Sequence, residues 1–491
     1  MSLATALCWS CVRCLAIALL VWPLSRLLSE AWDATRGSTR RGLLALLFVP
    51  FLFPELWVGY AYALWLIQHP VWNELLFDLL LLLKLVPAGA VVAHLSPPPP
   101  MSAQAIHCRR LAIRSDARWS SRFAVQLGCH VRGPLRAAVP AVALVFLLAF
   151  QDYELPSLMG IKSWTVWMFD AQAGARDATT ALHHIGWPLA CELAVLLPAL
   201  AVTLSNSVQP TAMAEPVWPL TGLRSAIVWS YLVVSATLTA AIPIAITGRG
   251  MFAGFGQLFR NQSQLASLLS NIASGFVIGA LAAGLTCGVA GRLLTPNPSP
   301  PWGEGKIDAA MLPRRRAGVR WLLMLPGCLG SLVVGLLVLV LFQRTPLFVV
   351  YDTPLPLVIA LAAWLLPRGV LMLLLWSGIR HGAGSHLADI IHRAPSAPVA
   401  AKGIDLMWHL RHRPAWFCWM LVSYWAYLDL TSAAMLAPTG MASAPVRLYD
   451  LMHFSRTSLL SAQTCLTLLV PVVLLWIGFG VRRQVVRWLA V

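Results

Sequence analysis

The sequence predicts an all-α, polytopic transmembrane helical bundle of about eleven helices, and three observations carry that reading. Of its 491 residues, 58% are hydrophobic and only 11% are charged, more apolar side chain than one water-facing core can bury. These residues gather in stretches of roughly 20, the length of a helix crossing hydrocarbon, rather than in the alternating stretches of about ten that a membrane barrel needs. Landmarks also recur without a gap at one offset. Pro87-x-Gly89 matches Pro367-x-Gly369, Pro134 matches Pro414, and Val166-x-x-Phe169-Asp170 matches Val446-x-x-Tyr449-Asp450, each pair 280 positions apart (367 minus 87). An internal repeat in so apolar a chain points to two pseudo-repeated halves with a path between them.

In order, the apolar spans fall near 9–29, 42–68, 74–95, 137–155 and 185–206, then near 224–247, 264–291, 319–342, 355–379, 415–436 and 456–480. Pro50 and Pro54 interrupt the second span, so ten or twelve helices also fit the pattern. The halves are 1–206 and 224–491, joined by a linker at 207–223, with a Pro-rich cytoplasmic insertion at 292–318. Pro134 and Pro414 stand where the fourth and tenth spans begin, the favoured place for proline in a helix. Gly275-x-x-x-Gly279, with Ala280, Ala282, Ala283 and Gly284, marks a face that a neighbouring helix can approach closely.

Lys and Arg number 36 against 19 Asp and Glu, a formal net charge of +17. Their placement accounts for the excess. Basic residues follow the first span (Arg36, Arg40, Arg41), the third (Arg109 to Arg136), the seventh (Arg292 to Arg320) and the ninth (Arg380 to Arg413), and Arg482, Arg483 and Arg487 close the chain. The intervening connectors carry acids, among them Asp152, Glu154, Asp170, Asp177, Asp352 and Asp450. Because Lys and Arg collect in the cytoplasm, eleven spans place the N-terminus outside and the C-terminus inside. Basic charge dispersed in this way implies no nucleic acid partner.

The ten cysteines build no disulfide framework, and Cys8, Cys11 and Cys14 stack along one helix face without a fourth thiolate nearby for a cluster. Gly303-Glu-Gly-Lys-Ile307 lacks both the first glycine of a phosphate loop, whose place is taken by Pro300, and the Ser or Thr after its lysine. With no ATP site, metal constellation or nucleophile–base pair, the chain reads as a non-enzyme that needs no cofactor, and a polytopic membrane enzyme ranks low.

Ionisable residues inside spans are costly and therefore informative. Glu55 and Asp78 read as groups near the outer interface, while Lys84, in an almost unbroken leucine run, and Glu192 are candidate pathway residues. Asp78 and Lys84 are a turn and a half apart and need not meet, and no convincing proton relay is visible. His183 and His184 are adjacent and point apart, which favours loop exposure over metal binding.

The inside loops at 98–136 and 380–414 hold equivalent places in the repeat, and short amphipathic helices fit 103–112 and 386–391. Leu436-Ala-Pro-Thr-Gly-Met441 followed by Val446-Arg-Leu-Tyr-Asp-Leu-Met-His-Phe454 resembles the Ala-Pro-Pro-Gly-Met and Tyr-Asn-Leu-x-His-Tyr-Gly region of binding-protein-dependent ABC transporter permeases of the ferric-iron and thiamine type. Phe150-Gln-Asp-Tyr-Glu-Leu-Pro-Ser-Leu158 with Trp164-Thr-Val-Trp-Met-Phe-Asp170 is similar to the other half of such permeases.

The resemblance implies two fused type I ABC permease halves in a bacterial inner membrane. It also implies a cytoplasmic ABC ATPase that docks on the inside loops, a periplasmic solute-binding protein, and a small cargo such as iron(III) or a thiamine-like solute. The coupling positions it implies are Arg110, Ala112 and Arg114 in the first loop and Leu387, Ala388 and His392 in the second. An alanine is kept there, but the family's glutamate and glycine are not in register. A gradient-driven secondary transporter is the alternative, although a repeat that relates spans of equal orientation is parallel rather than inverted.

Overall fold

The computed structural model describes residues 2–95, 111, 134–173, 178–205, 222–294, 325–344, 346–377, 387, 390–391, 397–454 and 458–488, and every regular element among them is helical. Two compact units divide the chain, Met1–Ile246 and Thr247–Val491. The boundary falls inside the helical run Gly222–Arg260.

The first unit opens with α1 (Leu3–Ala34), α2 (Gly37–Leu52), α3 (Glu55–Gln68) and α4 (Asn73–Leu95). It continues with α5 (Pro134–Phe150), α6 (Glu154–Leu158), α7 (Trp164–Ala173), α8 (Ala178–Ser205) and α9 (Gly222–Ala236), and a π-turn at Thr237–Ala241 then leads into α10 (Ile242–Arg260). Helices α1, α4 and α5 pack on one another, with α8 against α5 and α3 against α6.

Side-chain contacts fix the direction of α1 and α4. Arg13 bonds Glu74 at one end, Ser25 donates to the Val86 carbonyl midway (3.0 Å), and Asp33 pairs with His94 (3.2 Å) at the other. The two helices are therefore parallel, so α2 and α3, which return the chain from the end of α1 to the start of α4, together traverse the unit. They meet at a 69° bend. Its cause is local: Pro54 has no N–H for the Pro50 carbonyl and holds Phe53 extended (φ −72°, ψ 130°), which stops α2 at Leu52.

The second unit contains α11 (Gln262–Leu294), α12 (Gly330–Phe342) and α13 (Leu355–Ser377), with 3-10 turns at Pro326–Leu329 and Leu347–Val350. A further helix, α14 (Ala397–Met407), runs through a π-turn at Trp408–His412 into α15 (Arg413–Leu428), and α16 (Leu430–Leu436), α17 (Ala444–Phe454) and α18 (Ser458–Trp488) complete it. Here α11, α13 and α15 pack on one another, and α12 rests on α13 and α16. Gly279 brings α11 onto α15 so closely that an added Cβ would lie 3.0 Å from the Ser423 carbonyl and the Tyr427 nitrogen, and Gly275 faces the Tyr427 ring at 3.3 Å. Close packing is thus the use of this small-residue face.

Prolines inside these helices leave carbonyls without their N–H partner, and at three of them, Pro87, Pro243 and Pro471, a tyrosine from a neighbouring helix supplies the missing donor. Pro87 frees the Leu83 carbonyl, which accepts from Tyr231 Oη at 2.9 Å. In α18, Pro471 frees the Thr467 carbonyl, which accepts from Tyr427 Oη at 2.9 Å. The π-turn before Pro243 shifts the ladder by one residue, so the Leu238 carbonyl is the one left over; Tyr62 Oη fills it at 2.7 Å. Without water in hydrocarbon, such donors are what makes these prolines tolerable.

Among the described residues eight helices are long and apolar enough to cross a membrane, or nine if the bent α2–α3 pair counts as one span. This is fewer than the eleven expected, for two reasons. Asp429 ends α15 and caps α16, splitting the expected span 415–436. In the expected span 319–342, the described helical stretch is only Pro326–Phe342. Pro134 does begin α5, whereas Pro414 follows residues already helical through the π-turn. Large apolar side chains such as Leu19, Leu20, Trp187, Phe252, Leu281 and Ile477 stand exposed on the helices, as lipid-facing positions do.

Candidate functional site

Lys84 is the midpoint of α4, with eleven residues on either side (84 minus 73, 95 minus 84). Its side chain is 3% exposed and reaches into the α2–α3 bend, where Nζ donates to the Phe53 carbonyl at 3.0 Å and pairs with Glu55 Oε1 at 3.2 Å. The bend is what makes this possible. It leaves the carbonyl end of α2, the negative pole of its dipole, and the first residue of α3 facing the ammonium. Asp152 completes the group. Its Oδ1 accepts from the Leu155 N–H at 3.4 Å, capping α6, while its Oδ2 is sealed from solvent, with the Glu55 carboxyl beside the group and Lys84 within electrostatic reach.

A related arrangement occurs in the second unit. Arg368 lies one residue before Gly369 on α13 and stacks over Trp364 (4.2 Å) and Trp425 (5.8 Å). Asp429, 4% exposed, accepts from the Ser432 N–H at 2.9 Å to cap α16, with the Ser331 hydroxyl from the first turn of α12 and the Arg368 guanidinium beside it. Each unit thus sets a cation of its Pro-x-Gly helix against an aspartate that caps a short helix.

Glu192, near the middle of α8, is 0% exposed, and neither carboxyl oxygen has a well-formed hydrogen bond, although the Gln151 amide lies alongside. Lys84 and Glu192 are not brought into contact. They are joined through consecutive residues, since Gln151 lies beside Glu192 and the next residue, Asp152, lies within electrostatic reach of Lys84. Asp78 meets Arg13 (3.9 Å), a partner not expected from the sequence, and Lys84 pairs with Glu55 instead.

Pro-x-Gly proves to be a crossing contact. A methyl on Gly89 would run into Ser25 Oγ, and one on Gly369 would approach Thr286 Cγ2 at 2.9 Å. Downstream, Gly160 and Gly440 both turn the chain through left-handed backbone (φ 67° and 84°), and the Ser163 and Ser443 hydroxyls then accept from the N–H groups of Val166 (3.2 Å) and Val446 (3.4 Å). Asp170 and Asp450 sit exposed on α7 and α17. Outside the spans, the Thr439 hydroxyl and N–H both bond Asp352 and hold its carboxyl below the ordinary carboxylate range.

Of the six coupling positions, Arg110, Ala112, Arg114, Ala388 and His392 lie outside the described residues; Leu387 is helical and half exposed. Cys191 of α8 lies against Cys11, so a fourth thiol does stand near Cys8, Cys11 and Cys14. The correction is one of topology, since that thiol comes from a helix distant in sequence. No group of three or more side chains able to hold a metal occurs among the described residues.

Asp152, Arg368 and Asp429 are the members that sequence reasoning missed. Asp152 reads as an outside-loop acid, yet its Oδ2 is sealed inside. The available signal was an aspartate three residues before the next helical N–H, a capping spacing.

Fold and site together define a class: a multi-pass helical membrane protein with ionic groups buried at mid-helix. Compared with protein-family models, curated proteins and solved structures, the chain matches none.

Proposed function

We propose that the chain is the permease subunit of a binding-protein-dependent ABC importer, with two pseudo-repeated type I permease halves moving a small solute, such as iron(III) or a thiamine-like compound, across a bacterial inner membrane. The observation that carries this reading is the coincidence of local structure at the 280-position offset: the Gly160 and Gly440 turns, the Ser163 and Ser443 caps, and a glycine of each Pro-x-Gly facing a hydroxyl-bearing residue of a long helix. The sequence resemblance at 436–441 and 446–454 adds the family. In this reading the basic loops after α4 and α13 dock a cytoplasmic ATPase, the C-terminus is cytoplasmic, and a periplasmic binding protein delivers cargo to the opposite face. The chain itself performs no covalent chemistry. Two helical units rocking against one another would alternate access to the path.

Affinity purification of the full chain tests this directly. A nucleotide-binding subunit should accompany it and be lost when 109–116 or 387–394 is replaced by Gly-Ser. A chain that transports solute in liposomes without any ATPase, driven by an ion gradient, contradicts it. That gradient-driven carrier is the second reading, favoured by the unpartnered carboxyl of Glu192 at mid-helix.

A further inference from the structure

We propose that the first unit carries a reversible proton-binding site at Glu192, independent of whatever powers transport. The starting point is a charge balance. Among the described residues from the α2–α3 bend to α8 stand three carboxyls, Glu55, Asp152 and Glu192, against one ammonium, Lys84, while the Arg13 guanidinium of α1 is taken up by Glu74 and Asp78. Lys84 already serves Glu55 and the Phe53 carbonyl. Glu192 is fully buried, neither oxygen has a well-formed hydrogen bond, and the group beside it is the neutral Gln151 amide, so a carboxylate there would be strongly disfavoured.

Among the described residues, the groups around Glu192 supply no compensating cation. On α5 the described side chains from 138 to 150 contain no ionisable group, and past its end come Gln151, a neutral amide, and Asp152, another acid. On α7 the ionisable side chain is Asp170, which is exposed and acidic. On α8 itself Cys191 is adjacent and faces Cys11 of α1, while His184 lies two turns away with its ring edge-on to Trp167 at 5.6 Å. A bound cation must therefore neutralise the site. The described surroundings hold no set of three or more metal-ligating side chains, so the cation that fits is a proton. The second unit differs, because its buried acid, Asp429, lies at the break between α15 and α16 and already has the Arg368 guanidinium, a backbone N–H and a serine hydroxyl.

The test uses the purified full chain in lipid nanodiscs and dicyclohexylcarbodiimide, an apolar reagent to which a protonated carboxyl buried away from water adds across a C=N bond, giving an O-acylisourea that rearranges to a stable N-acylurea. Peptide mass spectrometry should place the adduct on Glu192. Its yield should fall about tenfold per pH unit once the pH exceeds the titration point of the site. Glu192→Gln should abolish it. In parallel, the infrared C=O stretch of a neutral carboxylic acid should be present in the native chain, weaken as the adduct yield falls with rising pH, and be weaker in E192Q than in the native chain; mapping on the native chain stands even if that variant misfolds. Labelling suppressed by sodium but not by choline at constant pH would assign the site to a metal cation and overturn the proposal. So would a folded native chain with neither adduct nor neutral-acid band at Glu192 at any pH. An ATPase that fails to co-purify leaves both readouts untouched, so the two proposals fail separately.

Discussion

A lysine at the midpoint of a leucine-rich helix survives because three other groups are bent toward it. Removing it should expose that dependence: Lys84→Met should destabilise the chain by about 2–3 kcal/mol, somewhat below the roughly 3–5 kcal/mol of a fully buried pair because Glu55 is 34% exposed. Glu55→Gln should cost less, and the double variant should cost less than the sum of the singles, as read by denaturant unfolding in detergent. Asp352 makes a pH prediction of known sign. Its folded-state pKa lies below the unfolded value, so its contribution is fully present above about pH 4 and disappears as pH falls through the lowered folded value. The difference in Tm between the native chain and Asp352→Asn should accordingly be present at about pH 6 and vanish in strong acid. At this scale Lys84 and Glu192 were legible as rare charges inside apolar spans. Asp152 was not, because a charge close to a predicted span end looks the same as one that merely sets topology. Arg368 and Asp429 lie inside the expected spans 355–379 and 415–436, so the same rule of rare charges in apolar spans would have found them, had it been carried through the second half.

Proline positions were plain in the sequence, but not how the helices tolerate them. The bend at Pro54 could be anticipated from two prolines four residues apart, whereas the π-turns before Pro243 and Pro414 leave no compositional trace. Nor could the tyrosine partners be found, since Tyr231 is 144 positions from Pro87 (231 minus 87). Tyr231→Phe and Tyr427→Phe should each cost about 1–3 kcal/mol by leaving a buried carbonyl unpaired, and should accelerate hydrogen exchange around Pro87 and Pro471 respectively. Gly89→Ala should displace Ser25 and cost about 1–3 kcal/mol; Ser25→Ala in the same chain should restore most of it, since the hydroxyl is the atom in the way.

Across the whole molecule, composition alone was enough to identify a helical membrane protein, because no other solvent accommodates so much apolar surface. The number of crossings was less legible: a span is counted by hydropathy, while a helix ends wherever one residue such as Asp429 captures an N–H. The 280-position offset reads in sequence as a few matching residues. What gives it weight is that some of them occupy the same local conformation, with a left-handed glycine and a serine cap three residues later in each unit. Under the proposed reading these are two permease halves, and the loops after α4 and α13 are where force enters. The most direct measurement is solute uptake by proteoliposomes containing the full chain and the ATPase that co-purifies with it. Uptake that requires ATP and is lost on Gly-Ser replacement of 387–394 is the predicted result. Uptake by the chain alone, unaffected by ATP and collapsing with the ion gradient, would contradict the account.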